Sequence, residues 1–317
     1  DNNKVTITGD ARLSLKNALG RGELIDINWR RLQTRTQDLT VHLNYPFIFN
    51  TPFAPDGYLK IYRRDSTFSE VTARIGFDFL LPAGSSLNGN FERRIHTLLQ
   101  PEQYEGFNNV PPQNDATVNL YNIGINLNRL DYRLNPRKGF RINGKAGAGT
   151  KNILPNPNVD TEVYENTDLR TNQYNGQLDL EIFIPIGKRM TLLNRVQAAG
   201  MFSESIFRNE LFRIGGLRIM RGFDEESIQA SSYAIGTLEF RFLLEQNSYV
   251  YAFTDVGWYE QLTTDVYTKD TPYSFGAGIA CQTGVGIFTI NTAVGAQQGN
   301  SPAFRSAKVH FGFINYF

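Results

Sequence analysis

Gln177-Leu178-Asp179-Leu180-Glu181-Ile182-Phe183-Ile184-Pro185-Ile186 is a run with two unlike faces. Leu178, Leu180, Ile182, Ile184 and Ile186 fall on one side of an extended chain, and Gln177, Asp179 and Glu181 on the other. A period of two is the mark of a β-strand with one apolar face. The same pattern recurs along most of the chain. Val41, Leu43, Tyr45, Phe47 and Phe49 oppose Thr40, His42 and Asn44. Tyr121, Ile123, Ile125 and Leu127 oppose Asn122, Gly124, Asn126 and Asn128. Leu238, Phe240, Phe242 and Leu244 oppose Thr237, Glu239 and Arg241. Val309, Phe311, Phe313 and Phe317 close the chain, and helical periodicity is nearly absent.

Strand length decides what the apolar face meets. Strands in soluble sandwiches run about 5 to 6 residues. These run about 10 to 14, close to the 9 to 11 that cross a bilayer at a tilt. So many long rows of large apolar groups would overfill a soluble core. Facing lipid they are required, and only a closed barrel satisfies every backbone group there. The expected fold is therefore all-β, a transmembrane antiparallel β-barrel forming a single domain over 1–317.

Composition agrees. Mean hydropathy lies below zero and no apolar run reaches 18 residues, which argues against membrane helices. Lumen-facing polar residues lower the average in a membrane barrel in the same way. Aromatics make up 13%, with 23 Phe and 15 Tyr against two Trp, as interface-lining rings would supply. Lys plus Arg (32) and Asp plus Glu (31) nearly cancel, and no basic block marks a nucleic-acid reader. One cysteine, Cys281, excludes an internal disulfide and a thiolate cluster, and reads as a small packed side chain.

The pattern gives about 15 strands, near 9–19, 22–34, 38–49, 57–66, 70–81, 85–99, 116–133, 139–151, 173–186, 189–203, 231–244, 248–259, 273–283, 286–298 and 305–317. Short turns alternate with longer connections near 100–115, 152–172, 204–230, 260–272 and 299–304. In bacterial outer-membrane barrels the short turns are periplasmic and the long loops external. The first strand then descends, with Asp1 outside. Because such barrels have even strand numbers, a 16-stranded type is expected, with the first strand upstream of Asp1.

The sharpest motif is Gly215-Gly216-Leu217-Arg218-Ile219-Met220-Arg221-Gly222-Phe223-Asp224, in the loop of about 204–230. Phe253-Thr254-Asp255-Val256-Gly257 follows on a strand, and Glu239 lies on the strand before it. With these in order, the whole chain resembles the superfamily of outer-membrane β-barrel assembly factors and two-partner-secretion transporters, the bacterial surface antigen barrels. Asn17-Ala18-Leu19-Gly20-Arg21-Gly22 and Leu130-Asp131 through Pro136-Arg137-Lys138-Gly139 resemble two of its periplasmic turns. Phe311, Phe313 and the terminal Phe317 resemble its C-terminal sorting signal. The resemblance implies an inward-folded loop whose Arg221, Gly222 and Phe223 are held by Glu239, Phe253 and Asp255. It implies an outer-membrane insertase or translocase acting through a lateral strand seam. The partners it implies are outer-membrane lipids, unfolded outer-membrane or secreted clients, and periplasmic domains or accessory subunits.

Asp224 puts a negative charge next to Arg221 before any wall partner is counted. A guanidinium forks onto a carboxylate through two parallel hydrogen bonds, which fixes direction as well as distance. Glycine lets the backbone turn where a Cβ would clash. Other chemistry finds no support: His42, His96 and His310 are not spaced as metal ligands, and no nucleophile–base pair or cofactor motif is visible. Arg63-Arg64-Asp65 and Glu92-Arg93-Arg94 read as solvated strand ends, and Pro155, Pro157 and the polar run 166–175 as a mobile outer loop. A passive porin-like channel is the alternative, which a pinned return loop speaks against.

Overall fold

The computed structural model describes residues 9–31, 36–165, 167–284, 286–302, 305 and 307–314. Eighteen strands are found among them: β1 (Gly9–Lys16), β2 (Leu24–Arg31), β3 (Thr36–Asn44), β4 (Phe53–Arg64), β5 (Phe68–Leu81), β6 (Ser85–Leu98), β7 (Asp115–Leu130), β8 (Gly139–Leu154), β9 (Arg170–Ile186), β10 (Met190–Ser203), β11 (Phe212–Ile214), β12 (Ile228–Ala230), β13 (Ser232–Leu243), β14 (Tyr249–Leu262), β15 (Tyr267–Asp270), β16 (Tyr273–Thr283), β17 (Gly286–Ala296) and β18 (Lys308–Ile314). Sixteen form one antiparallel sheet. Fifteen of these follow one another as neighbours from β1 to β18, skipping the small β11–β12 hairpin, while β15 pairs beside β14. This is the up-and-down order of a membrane barrel.

Polarity is inverted relative to a soluble protein. Ile75, Phe77, Tyr121, Ile123, Phe202 and Phe311 are exposed, whereas Glu92, Lys151, Glu239, Arg241 and Asp255 are buried. An exposed apolar surface of this extent needs a lipid partner, and the polar face turns inward onto its own hydrogen bonds. Glu92 accepts from Arg94 at 2.6 Å and from Lys145 at 2.6 Å, and Arg141 donates to Glu181 at 2.6 Å.

The strands differ in length around the sheet. β7, β8 and β9 have 16, 16 and 17 residues, and β1 and β18, at the ends of the described sheet, have 8 and 7 described residues. Among the described residues no ladder joins β1 to β18.

Several expectations are corrected. Glu92 and Arg94 are not at a solvated strand end; they lie mid-strand in β6 facing inward, where lumen charges pair with one another. The polar run 166–175 is not all loop, because β9 starts at Arg170 and its Gln173 and Asn175 are inward-facing wall residues joined at 3.2 Å. β4 begins at Phe53 and not at 57: Pro55 sits within the ladder, accepting from Tyr45 N through its carbonyl. Strand 22–34 extends into 32–35, and strand 305–317 into 315–317, which lie outside the described residues, as does Phe317 of the sorting signal. Phe311 and Phe313 are exposed on the lipid face of β18.

Candidate functional site: a loop seated in the barrel

The connection from β10 to β13 folds back over the wall. The β11–β12 hairpin stiffens its base, and Ile214, Met220, Phe223 and Ile228 form an apolar cluster with Ile235 of β13 and Tyr259 of β14. Between the hairpin strands, Met220 N donates to Gly216 O at 3.2 Å and tightens the tip.

Arg221 meets the wall at that tip. Its Nε donates to Asp255 Oδ2 at 3.0 Å and its Nη2 to Asp255 Oδ1 at 2.8 Å, the two-pronged geometry of an arginine–carboxylate fork. Its backbone N–H also reaches Asp255 Oδ2 at 3.2 Å, and its Nη1 donates to Glu239 Oε2 at 2.5 Å. The guanidinium plane covers the Phe253 ring, 3.4 Å from its centroid. Burial alone would lower the Arg221 pKa. The hydrogen bonds and charge of Asp255, then those of Glu239, outweigh it and raise the value, so the side chain stays charged.

The carboxylates are themselves held. Thr237 Oγ1 donates to Asp255 Oδ1 at 2.8 Å, and Arg241 Nε donates to Glu239 Oε1 at 2.8 Å. Arg241 Nη1 continues to Asn135 Oδ1 at 3.0 Å, and Asn135 Nδ2 to Gln246 O at 3.0 Å. A chain of polar contacts thus runs from the loop tip to the turns at the short-turn end. One of those turns is shaped by Asp131, whose Oδ1 accepts from Arg137 N and Lys138 N at 3.0 and 3.1 Å.

Glycine sets how closely loop and wall approach. Gly222 has φ +86°, and a Cβ there would lie 2.9 Å from Gly295 N and 3.1 Å from Ser274 Cβ. The Phe223 ring occupies the space a Cβ on Gly295 would need.

Asp224, Glu225 and Glu226 were the residues whose partners sequence reasoning did not find. Asp224 pairs with Lys308 of β18 at 2.7 Å. Glu225 lies 3.7 Å from Arg30 of β2 and accepts from Leu217 N at 2.9 Å. Glu226 accepts from Tyr62 Oη of β4 at 2.8 Å. Three consecutive acids therefore reach strands near both edges of the sheet. His310 of β18 joins them, its Nε2 3.5 Å from Gly222 N. Further back, Arg213 of β11 lies 3.5 Å from Glu70 and covers the Tyr62 ring at 4.0 Å. Within the wall, a cavity of about 530 Å³ is lined by His42, Asp56, Arg74, Asp78, Lys145 and Asp179 among others.

Comparisons with known proteins place this architecture. The sequence profile of the Omp85 superfamily domain matches residues 17–313. No curated sequence matches the chain significantly. Among solved structures, the chain is similar to BamA from Haemophilus ducreyi lacking POTRA domains 1–3, with a TM-score of 0.62 and 15% identity over 96% of this chain and 66% of that one. It is similar to CdiB from Acinetobacter baumannii, with a TM-score of 0.60 and 12% identity over 91% of this chain and 53% of that one. CdiB from Escherichia coli gives a TM-score of 0.58 and 17% identity over 95% and 58%. At these identities the likeness is one of fold, and the chain spans only 53% to 66% of the length of these three.

Proposed function

The chain belongs to the Omp85 superfamily of bacterial outer-membrane β-barrels, and from that premise we propose that it is the barrel of an outer-membrane protein insertase or translocase. Its clients are unfolded outer-membrane or secreted proteins, its solvent is the outer-membrane lipid, and periplasmic domains or accessory subunits deliver the client. The working element is a lateral seam between the first and last strands of the barrel, with β18 on its C-terminal side. An edge strand carries a row of free N–H and C=O groups, and an incoming strand adds to it by β-augmentation.

The observation that carries this reading is the loop seated on the wall, with Arg221 forked onto Asp255 and bonded to Glu239 and the acids after it reaching β2, β4 and β18. Arg221, Gly222 and Phe223, seated on Glu239, Phe253 and Asp255, hold the loop in place while the seam works. The acids that follow them tie the loop to β2, β4 and β18, so the loop and the seam respond together.

The test is insertion itself. The chain is reconstituted in phospholipid vesicles, and a urea-unfolded β-barrel client is added. Folding is followed by the gel shift that separates folded from heat-unfolded barrels. The expected result is faster client folding than in empty vesicles, with most of the gain lost in Arg221→Ala. Client folding no faster than in empty vesicles, together with a large steady conductance unchanged by Arg221→Ala, would leave a passive channel as the function.

A further inference from the structure

The short-turn end of the barrel has an uneven rim. The turns at 131–138 and 187–189 carry Arg133, Arg137, Lys138, Lys188 and Arg189, which suit lipid phosphates. The β3–β4 turn, close to the β1 edge, is Tyr45-Pro46-Phe47-Ile48-Phe49-Asn50-Thr51-Pro52, without a single charge. Phe47 is 61% exposed and Phe49 90%.

The turn is fixed and strained. Asn50 N donates to Phe47 O at 3.0 Å, Thr51 N and Oγ1 both donate to Ile48 O, and Leu80 N donates to Pro52 O at 2.7 Å. Phe47 and Phe49 nevertheless have φ of +57° and +53°, the left-handed region that a bulky L residue avoids. Glycine or asparagine would sit there with less strain and would suit water better. Strain and exposure together point to a role for the two rings outside the fold.

Depth identifies what they meet. On the lipid face of β4, Phe53, Leu59 and Ile61 lead to the exposed Arg63, which marks the outer polar limit. Those about ten residues, at ~3.4 Å each and a tilt of ~40°, span about 26 Å, close to the ~25 Å apolar band of such barrels. Phe53 therefore lies at the inner boundary of the band, and Phe47 and Phe49 one tight turn beyond it. The apolar surface runs unbroken from band to turn: the Phe53 and Phe79 rings touch edge-on at 5.4 Å, and Leu43 and Phe77 are exposed. Beside it, Pro46 packs over Gly22 of the first turn, whose Leu19 is also exposed.

We propose that the β3–β4 turn is a membrane foot, which seats Phe47 and Phe49 among the glycerol backbones and first acyl carbons of the inner leaflet of the outer membrane, next to the β1 edge. Phenyl rings offer no hydrogen-bonding group, and the turn has no charge, so the contact depends on the apolar boundary and not on anionic headgroups. The site is independent of the loop and of any client.

The test uses the full chain in phosphatidylcholine vesicles, with Trp29→Phe and Trp258→Phe removing the native indoles and Phe49→Trp supplying one reporter. Lipids brominated near the glycerol end of the acyl chain should quench the reporter about twofold or more, and those brominated near the chain end should quench it less. Aqueous iodide should quench it little, and adding anionic lipid should change nothing. A reporter at Lys188→Trp should show the opposite, quenched by iodide. Iodide quenching at position 49 equal to that in the unfolded chain would overturn the proposal. So would shielding that develops only when a periplasmic extract is added, which would assign the turn to a protein partner. Should the triple substitution fail to fold, a nitroxide on Phe49→Cys in a Cys281→Ala background reads the same two outcomes. Accessibility to oxygen supports the foot, and accessibility to a water-soluble nickel chelate contradicts it.

Discussion

A guanidinium presents five N–H donors in one plane, and Arg221 directs three of them at two carboxylates while its face covers Phe253. The Arg221, Glu239 and Asp255 side chains are 11%, 7% and 1% exposed, so losing one partner leaves a charge with little water to replace it. Arg221→Ala and Asp255→Ala are each expected to destabilise the folded barrel by roughly 3–5 kcal/mol. In the double variant the two effects should overlap by about 2 kcal/mol. Equilibrium urea unfolding in vesicles measures all three values, and strict additivity would mean that the pair contributes nothing as a pair. Gly222→Val should act on the same seat from the other side, because its Cβ would enter Gly295 and Ser274. The expected result is a loop released to added protease between 217 and 226 in a barrel that still resists it elsewhere. A loop as resistant as in the parent chain would count against the close approach. Asp255, Glu239 and Arg221 were legible through the family resemblance that the strand motif and the glycine-flanked turn carry. Thr237 and Arg241 were partly legible, as they share Glu239's inward row at a period of two. Lys308, Arg30 and Tyr62 were not: each is an ordinary strand residue whose loop partner is far along the chain, and no local pattern ties them together.

Strands behave as units of pairing, and a strand with one partner opens before a strand with two. Among the described residues β1 and β18 stand at the ends of the sheet, each with one paired neighbour, while β7–β9 have two. Backbone amides near the two edges should therefore exchange with deuterium far sooner than those of β7–β9. The acids after Phe223 hold the loop to strands near both edges. An exposed pair such as Asp224–Lys308 contributes only about 0–1 kcal/mol, so its effect is on local opening and not on total stability. Replacing Asp224, Glu225 and Glu226 by their amides should speed exchange in β2, β4 and β18 while leaving β8 unchanged. Uniform acceleration, or none, would contradict the clasp. Alternation made the existence and the inward face of nearly every strand readable. Ends were less so, since β4 continues through Pro55 and β9 takes in a polar stretch that resembles loop. In a lumen wall, polar residues belong inside strands, which removes the cue that polarity normally gives for a strand end.

The whole molecule is read as an inverted barrel, a loop seated inside it and the proposed lateral seam. A passive channel would need only the first of these. The insertase reading requires that a client strand meet this chain at the seam. The direct measurement is photo-crosslinking from lipid-facing positions to a client added during its insertion. Photoreactive residues replace Leu13 on β1, Phe311 on β18 and, on the opposite wall, Ile123 on β7, all of them exposed. Client adducts are expected from positions 13 and 311 and none above background from 123. Equal labelling at all three, or labelling at none while the client folds, would contradict the insertase reading.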